Sequence, residues 1–203
     1  MSIILSHVNP ELTIAEDVAL IGSSAILLEK KYGKLIDSYG TVVRFNRSPV
    51  VGYETIAGSK TTIRVANHHV FSNVSAAADG RFTNTDVTHP PNFIKDQKNI
   101  NIIHANDNIL GWHDRDRHID PTSNAFLMDK SNINGIPTVG FRTIQLFIAN
   151  NIVPHLFGFG IHENDAATHY WENRDTNSVC HNYSWEREQI KDLLTKEKIK
   201  VFT

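Results

Sequence analysis

Apolar residues fall along this chain in short runs. Val18-Ala19-Leu20-Ile21 is too short for an ordinary helix, and Gly22, Ser23 and Ser24 close it. A short apolar run ending in small residues reads as a buried strand feeding a tight turn. Residues 25–36 carry Ile26, Leu27, Leu28, Tyr32, Leu35 and Ile36, a rough helical stripe interrupted by Gly33. Thr41-Val42-Val43-Arg44-Phe45 is β-branched and aromatic and predicts a second strand, which delivers Asn46 and Arg47 into a turn fixed by Pro49. Residues 61–65 predict a third strand behind the turn residue Gly58, and residues 99–104 alternate as a further strand. Pro137-Thr138-Val139-Gly140 opens a helical run with Phe141, Ile144, Leu146, Phe147 and Ile148, with Thr138 as N-cap and an end near Asn150-Asn151. Residues 153–157 then read as a strand starting near Pro154. Ser184 suits the cap of a last helix through Leu194, and residues 198–202 read as an edge strand.

The remaining stretches are less patterned. Residues 1–17 read as a lead-in packed on the sheet edge. Residues 67–97, with Gly80, Pro90 and Pro91, read as a long excursion, and such loops in compact domains are functional or disordered. Residues 105–134, rich in His, Asp and Asn, predict a helix or two over one face of the site.

In open α/β sheets ligands gather at the carboxyl ends of strands, where Ser23 and Asn46 both fall. A tight turn there leaves N–H groups for a phosphate or base, and the start of the helix after Pro137 offers a second anion site. These features suggest a nucleotide site and name no reaction.

Composition narrows the class. The chain has 203 residues, enough for one domain with a proper core. Lys+Arg 20 against Asp+Glu 22 leaves a formal charge of -2, so no basic excess holds a nucleic-acid backbone. The one cysteine, Cys180, has no internal partner and suits a reducing compartment. The start MSIILSHVNPELTIAED lacks a basic n-region and a long apolar segment, so it reads as neither signal peptide nor membrane anchor. No membrane span is predicted, and peripheral membrane contact stays open.

Four blocks in order then carry a resemblance. The first combines GSS, YGKLIDSYGTVVRFNRSP, VGYE and GSKTT within residues 18–63; the second is PTVG followed by FGFG; the third is HYWEN; the fourth is His181 with Glu186 five residues on. Together they resemble the four motifs of the sialyltransferases of glycosyltransferase family 29. Residues 66–134 match no motif. The family's Gly-Asn-Ser turn is Gly22-Ser23-Ser24 here, and its Pro-Ser-Thr-Gly is Pro137-Thr138-Val139-Gly140. Val18 and Asn151 stand where animal members carry a disulfide. With the absent anchor, this suggests a cytoplasmic protein of bacterial or viral source.

The fold expected is a single α/β domain over residues 1–203: a Rossmann-like, mostly parallel twisted sheet with helices on both faces, in the family's GT-A-like variant. The resemblance implies an inverting transferase that moves sialic acid from its cytidine monophosphate (CMP) donor to a glycan hydroxyl. CMP-Kdo is the alternative donor, because both sugars are ulosonic acids carried on CMP. A CMP-sugar binding protein without turnover is the alternative from another class.

Such chemistry needs a base for the acceptor proton and a partner for the departing phosphate. By resemblance His181 is the general base and His169 contacts the phosphate. Ser23, Ser24, Asn46, Thr138, Val139, Gly140 and Thr168 form the donor-binding set, and Glu186 supports the His181 loop. Each also has a structural reading: Ser23 as a turn former, Asn46 as a strand-end cap, Thr138 as an N-cap, His181 as a local hydrogen-bond partner. Trp171 and Trp185 read as core or site walls. No cofactor is implied, since a CMP leaving group carries one phosphate. His113-Asp114-Arg115-Asp116-Arg117-His118 contains an Asp-x-Asp, but the arginines compete for its carboxylates, so no metal site is expected. The segment reads instead as a polar face near the acceptor, where Arg115 or Arg117 can meet a carboxylate.

Overall fold

The computed structural model describes residues 1–5, 12–67, 101–105, 118–119, 137–161, 168–172 and 181–203. β1 (Ser2–Leu5) and β2 (Leu12–Ala15) pair antiparallel as a sheet of their own. β3 (Val18–Ile21), β4 (Thr41–Phe45), β5 (Ile63–Asn67), β6 (Asn101–Ala105) and β7 (His118–Ile119) build a parallel sheet in one direction. β8 (His155–Phe157) and β9 (Lys200–Phe202) return to the other side of β3. The order is β7-β6-β5-β4-β3-β8-β9, with every neighbouring pair among the described residues parallel. The direction of building reverses between β3 and β8, which makes that seam the topological switch point.

A parallel sheet is covered on both faces, so its inner strands read as unbroken apolar runs. β3 and β4 are buried at every position. Side chains alternate between faces along a strand. Val18, Leu20, Val43, Phe45, Ile63 and Val65 join a core cluster with Phe141, Ile144 and Phe147 of α3 (Val139–Ala149) and Ile190 of α4 (Tyr183–Thr195). Ala19, Ile21 and Val42 join another with Leu27 of a 3-10 turn (Ala25–Glu29), Ile36 of α1 (Gly33–Asp37) and Ala57 of α2 (Glu54–Ala57). Helices as short as α1 and α2 are unstable alone; burial of each Leu- or Ile-sized side chain contributes roughly 1.5–3 kcal/mol and holds them.

Several expectations shift. The stripe over residues 25–36 is two pieces, not one helix. Gly33 lies so close to α2 that a Cβ there would overlap the Glu54 carbonyl oxygen, and Leu28 and Leu35 stay exposed. Close packing of two chain segments, rather than a continuous helical face, sets this path. The described part of the lead-in forms its own two-stranded sheet and also reaches an inner strand. Thr41 donates from N to Asp17 O (3.0 Å) and from Oγ1 to Ala15 O (2.9 Å), so the hairpin's end seats the start of the inner strand β4. The strands expected at 61–65, 99–104, 153–157 and 198–202 are present as β5, β6, β8 and β9 with moved ends. Within the helical expectation for 105–134, residues 118 and 119 form strand β7, while the rest of that segment beyond residue 105 lies outside the described residues, as does the excursion after Asn67. Asn182, not Ser184, caps α4: its Oδ1 accepts from Trp185 N at 3.0 Å. Its position one residue before the first turn gives it the N-cap geometry. No helix among the described residues is long and apolar enough to cross a membrane.

The β3–β8 seam yields a direct stability prediction. A Cβ on Gly22 would overlap the Gly158 carbonyl oxygen, a backbone atom that cannot swing aside. Gly22→Ala should therefore destabilise the fold by about 1–3 kcal/mol or more, the usual range for overpacking. Urea denaturation of the two proteins measures it; equal midpoints would show that the seam can part without cost.

Candidate functional site

The hydrogen-bond ladder of the switch point runs beyond the strands themselves. Gly22 N donates to Phe157 O (2.7 Å) and Ser24 N to Gly158 O (3.1 Å). Gly158 has φ +69, where a side chain is strained, and a Cβ there would run into Leu27. Phe159 follows and fills the space between two motifs. A Cβ on Gly22 would lie 3.0 Å from its ring, and one on Gly140 would lie 3.1 Å from it. The ring also meets Phe45 edge-on at 6.0 Å. One aromatic side chain thus sets the distance between the turn after β3 and the start of α3.

The segment 168–172 is laid across the same turn. Ser24 and His169 form an antiparallel bridge, flanked by Ala25 N to Thr168 O (2.9 Å) and Tyr170 N to Ser23 O (2.9 Å). Ser23, Ser24, Thr168 and His169 are therefore neighbours held by main-chain bonds. The Ser24 hydroxyl accepts from Ile26 N at 3.3 Å and caps the 3-10 turn. His169 stacks on Trp171, with centroids 4.4 Å apart and an angle of 17°. Its Nδ1 pairs with Glu172 Oε1. A carboxylate on one ring nitrogen fixes the imidazole's orientation.

A second group forms where α3 meets α4. Thr138 caps α3 as expected, its Oγ1 accepting from Phe141 N at 3.1 Å. The same residue is gripped by Glu186: Thr138 N donates to Oε1 (2.5 Å) and Oγ1 donates to Oε2 (2.8 Å). The Thr138 side chain is therefore engaged inside the fold, and the anion-binding capacity of this helix start rests on the first-turn N–H groups of Val139 and Gly140, which have no helical acceptor of their own. Glu186 is only 6% exposed, and burial pushes its carboxyl above the usual 4.5 against the pull of Thr138 and of the nearby His181 charge. His181 is half-buried just before α4 and meets the Tyr183 ring edge-on at 5.6 Å.

Asn46 ends β4 in the left-handed region, φ 46. Its N–H donates to Val65 O (2.8 Å), and its carbonyl accepts from Arg64 Nη1 (2.8 Å). Asparagine tolerates this conformation better than most residues. Among the described residues no three His, Cys, Asp or Glu side chains meet as a metal site; Asp114, Asp116, Arg115, Arg117 and Cys180 lie outside them.

A family model described as Glycosyltransferase family 29 (sialyltransferase) matches residues 11–198. The chain belongs to that family. Among relatives, CMP-N-acetylneuraminate-beta-galactosamide-alpha-2,3-sialyltransferase 1 of Mus musculus is 26% identical over 225 residues, covering 96% of this chain and 61% of that protein. Beta-galactoside alpha-2,6-sialyltransferase 2 of Danio rerio is 46% identical over 55 residues, 27% of this chain and 11% of that one. This chain therefore spans about three fifths of the length of the α-2,3 relative. Among solved structures, a mammalian sialyltransferase in complex with Gal-beta-1-3GalNAc-ortho-nitrophenol aligns with a TM-score of 0.65 at 19% identity, covering 92% of this chain and 68% of that one. The sialyltransferase CstII from Campylobacter jejuni, in complex with a substrate analogue, cytidine-5'-monophosphate, gives 0.54 at 15%, covering 92% and 78%. At such identities the likeness is one of fold.

In this family 29 chain, the first three motifs read from sequence meet at the switch point, and the fourth joins the second through Glu186 and Thr138. The sequence reading assigns no role to Phe159, Glu172, Tyr170 or Arg64. The available signal for Arg64, as for Arg44, is a charge inside an apolar strand, a placement that needs buried partners.

The grip of Glu186 on Thr138 is open to test. Glu186→Ala leaves Thr138 N–H without its carboxylate and should cost about 1–3 kcal/mol. Because burial raises the folded carboxyl's pKa, the folded chain holds this proton at a pH where the unfolded chain has lost it. The contribution of Glu186 to stability is therefore full below about 4.5, the ordinary value, and falls as pH climbs through the raised folded value. Glu186→Gln, which keeps an acceptor without the charge, should flatten that slope in urea denaturation across this window. An unchanged slope would place the titration elsewhere.

Proposed function

We propose that this chain transfers a sialyl group from CMP-sialic acid to a glycan hydroxyl, with inversion and without a metal. The observation that carries this reading is the meeting, at the switch point of a family 29 chain, of the Gly22-Ser23-Ser24 turn, the His169 segment and, across the Phe159 ring, the start of α3. The N–H groups of Gly22, Ser24 and Ala25, expected from sequence to face a ligand, are taken up by Phe157 O, Gly158 O and Thr168 O. The start of α3 is therefore the anion site that supports this reading, together with the general placing of nucleotides in crevices at switch points. The donor would lie along Ser23, Ser24, Asn46, Thr168 and the first turn of α3 at Val139 and Gly140, with Thr138 shaping that turn.

The acceptor oxygen forms a bond to the donor's anomeric carbon while the bond from that carbon to the phosphate oxygen breaks. The electron pair leaves with CMP, and the acceptor proton passes to a His181 ring nitrogen. His169 stabilises the phosphate as it takes up charge, with Glu172 and Trp171 holding its ring. Glu186 ties the His181 end of α4 to α3. The sialyltransferase relatives favour sialic acid over Kdo as the sugar.

Titration calorimetry tests the donor side first: CMP should bind more tightly than UMP, and equal affinities would sink the cytidine assignment. Turnover is then read by mass spectrometry with CMP-sialic acid and CMP-Kdo over a glycan panel, and CMP binding without turnover would favour a binding protein instead.

The two histidines should separate kinetically. General-base catalysis contributes about two to four powers of ten in rate. His181→Ala should lose transfer on that scale and keep CMP affinity, whereas His169→Ala should lose both rate and CMP affinity. A His181→Ala protein with wild-type kcat would remove its role as base.

A further inference from the structure

We infer that Arg64 and Tyr170 form one buried positioning centre that fixes the three donor-side segments relative to each other; the donor role of those segments rests on the function proposed above. Arg64 is 2% exposed and Tyr170 3% exposed, so neither reaches a ligand directly. Arg64 comes from β5 and crosses beneath the end of β4. Its Nη1 donates to Asn46 O (2.8 Å) and reaches Ser48 O (3.3 Å) and Ser48 Oγ (3.4 Å). β5 thus holds the Asn46 peptide on both sides, since Asn46 N also donates to Val65 O in the same strand. A left-handed asparagine persists where the surroundings over-determine it, and these bonds supply that constraint.

Tyr170 comes from the other direction. Its Oη donates to Pro49 O at 2.5 Å, one residue beyond the Ser48 carbonyl that Arg64 reaches. Its N–H donates to Ser23 O, and the residue before it, His169, is bridged to Ser24. The ring is packed edge-on against Tyr53 at 5.0 Å and Trp171 at 4.7 Å. Burial pushes the phenol up to about 12, so it remains a donor at neutral pH, and Arg64, lowered to about 9 by burial and by Arg44, remains charged there. Arg64 on Ser48 and Tyr170 on Pro49 thus hold one and the same turn. That turn then links the Asn46 end of β4, the Ser23-Ser24 turn and His169, which otherwise come from separate parts of the sequence. The centre acts through main-chain atoms of the site, so these are positioning residues rather than catalytic ones.

The experiment compares Tyr170→Phe, Arg64→Lys and the double variant with the wild-type chain, each first shown folded by circular dichroism. Hydrogen exchange is followed in peptides covering residues 22–26, 44–50 and 168–172, with α4 as the internal reference, and CMP affinity is measured by calorimetry. Each single variant should speed exchange in those segments, leave α4 unchanged, and weaken CMP binding about tenfold, the scale of one charge-assisted hydrogen bond. The double variant should bind no worse than the weaker single one, because coupled groups are not additive. Unchanged exchange in the three segments, acceleration spread equally through α4, or losses that multiply in the double variant would overturn the inference. If Arg64→Lys does not fold, Ser48→Ala takes its place in the cycle with the same expected result. A wild-type chain that binds no CMP would end the donor reading, while the exchange pattern would still decide the positioning claim.

Discussion

The seam between β3 and β8 is the constraint on which the rest depends. Two strands distant in sequence run parallel there, and their following residues keep bonding after the strands end. The approach is possible because Gly22 carries no side chain toward the Gly158 carbonyl. The two short motifs that follow these strands are thereby pinned to each other without a covalent link. Val18 and Asn151, the positions that resemblance pairs with a disulfide in animal members, lie at the start of β3 and just after α3; Val18 is buried in the core instead. The function proposed here relies on this seam, since the turn after β3 and the turn after β8 that carries Phe159 would otherwise move independently.

Around the seam the chain buries polar groups that need partners. Arg44 and Arg64 are direct neighbours across β4 and β5 and lie on the strand face opposite Val43, Phe45, Ile63 and Val65. Arg44 spreads its donors over Ala57 O, Gly58 O, Lys60 O and Thr61 Oγ1, at 2.7–3.1 Å. Burying such groups contributes little net stability, because desolvation offsets most of the attraction. What it supplies is geometry: moving the acceptors away would strand a buried guanidinium, so the loops that carry them have few alternatives. Glu186 obeys the same rule on the other side of the site, where it ties α4 to the cap of α3 across 48 residues of sequence.

Much of the scaffold was legible in the residues. VALI and TVVRF are apolar at nearly every position because both faces of their strands are covered, and Thr138 before a periodic run announces a cap by a local bond to Phe141. Ser23, Asn46 and Thr138 drew notice for a related reason, since they sit where strands end or a helix starts, whereas His169 and His181 were assigned by resemblance alone. The reading failed where periodicity was imperfect. The stripe at residues 25–36 has apolar residues in roughly helical order, but Gly33 and its contact with Glu54 divide it. Ser184 read as the cap of the last helix, and backbone geometry gives that place to Asn182.

The sequence by itself determined the buried strands, the α3 cap and the order of the motifs, because each follows from side-chain chemistry acting within a few residues. Tertiary structure decided the rest. Phe159 became the spacer between Gly22 and Gly140, the Thr138 hydroxyl was taken up by Glu186, and Arg64 and Tyr170 met at the Ser48-Pro49 turn, although these partners lie far apart along the chain. Such contacts follow from strand order and crossover, and local propensity carries no record of a partner brought in from another strand.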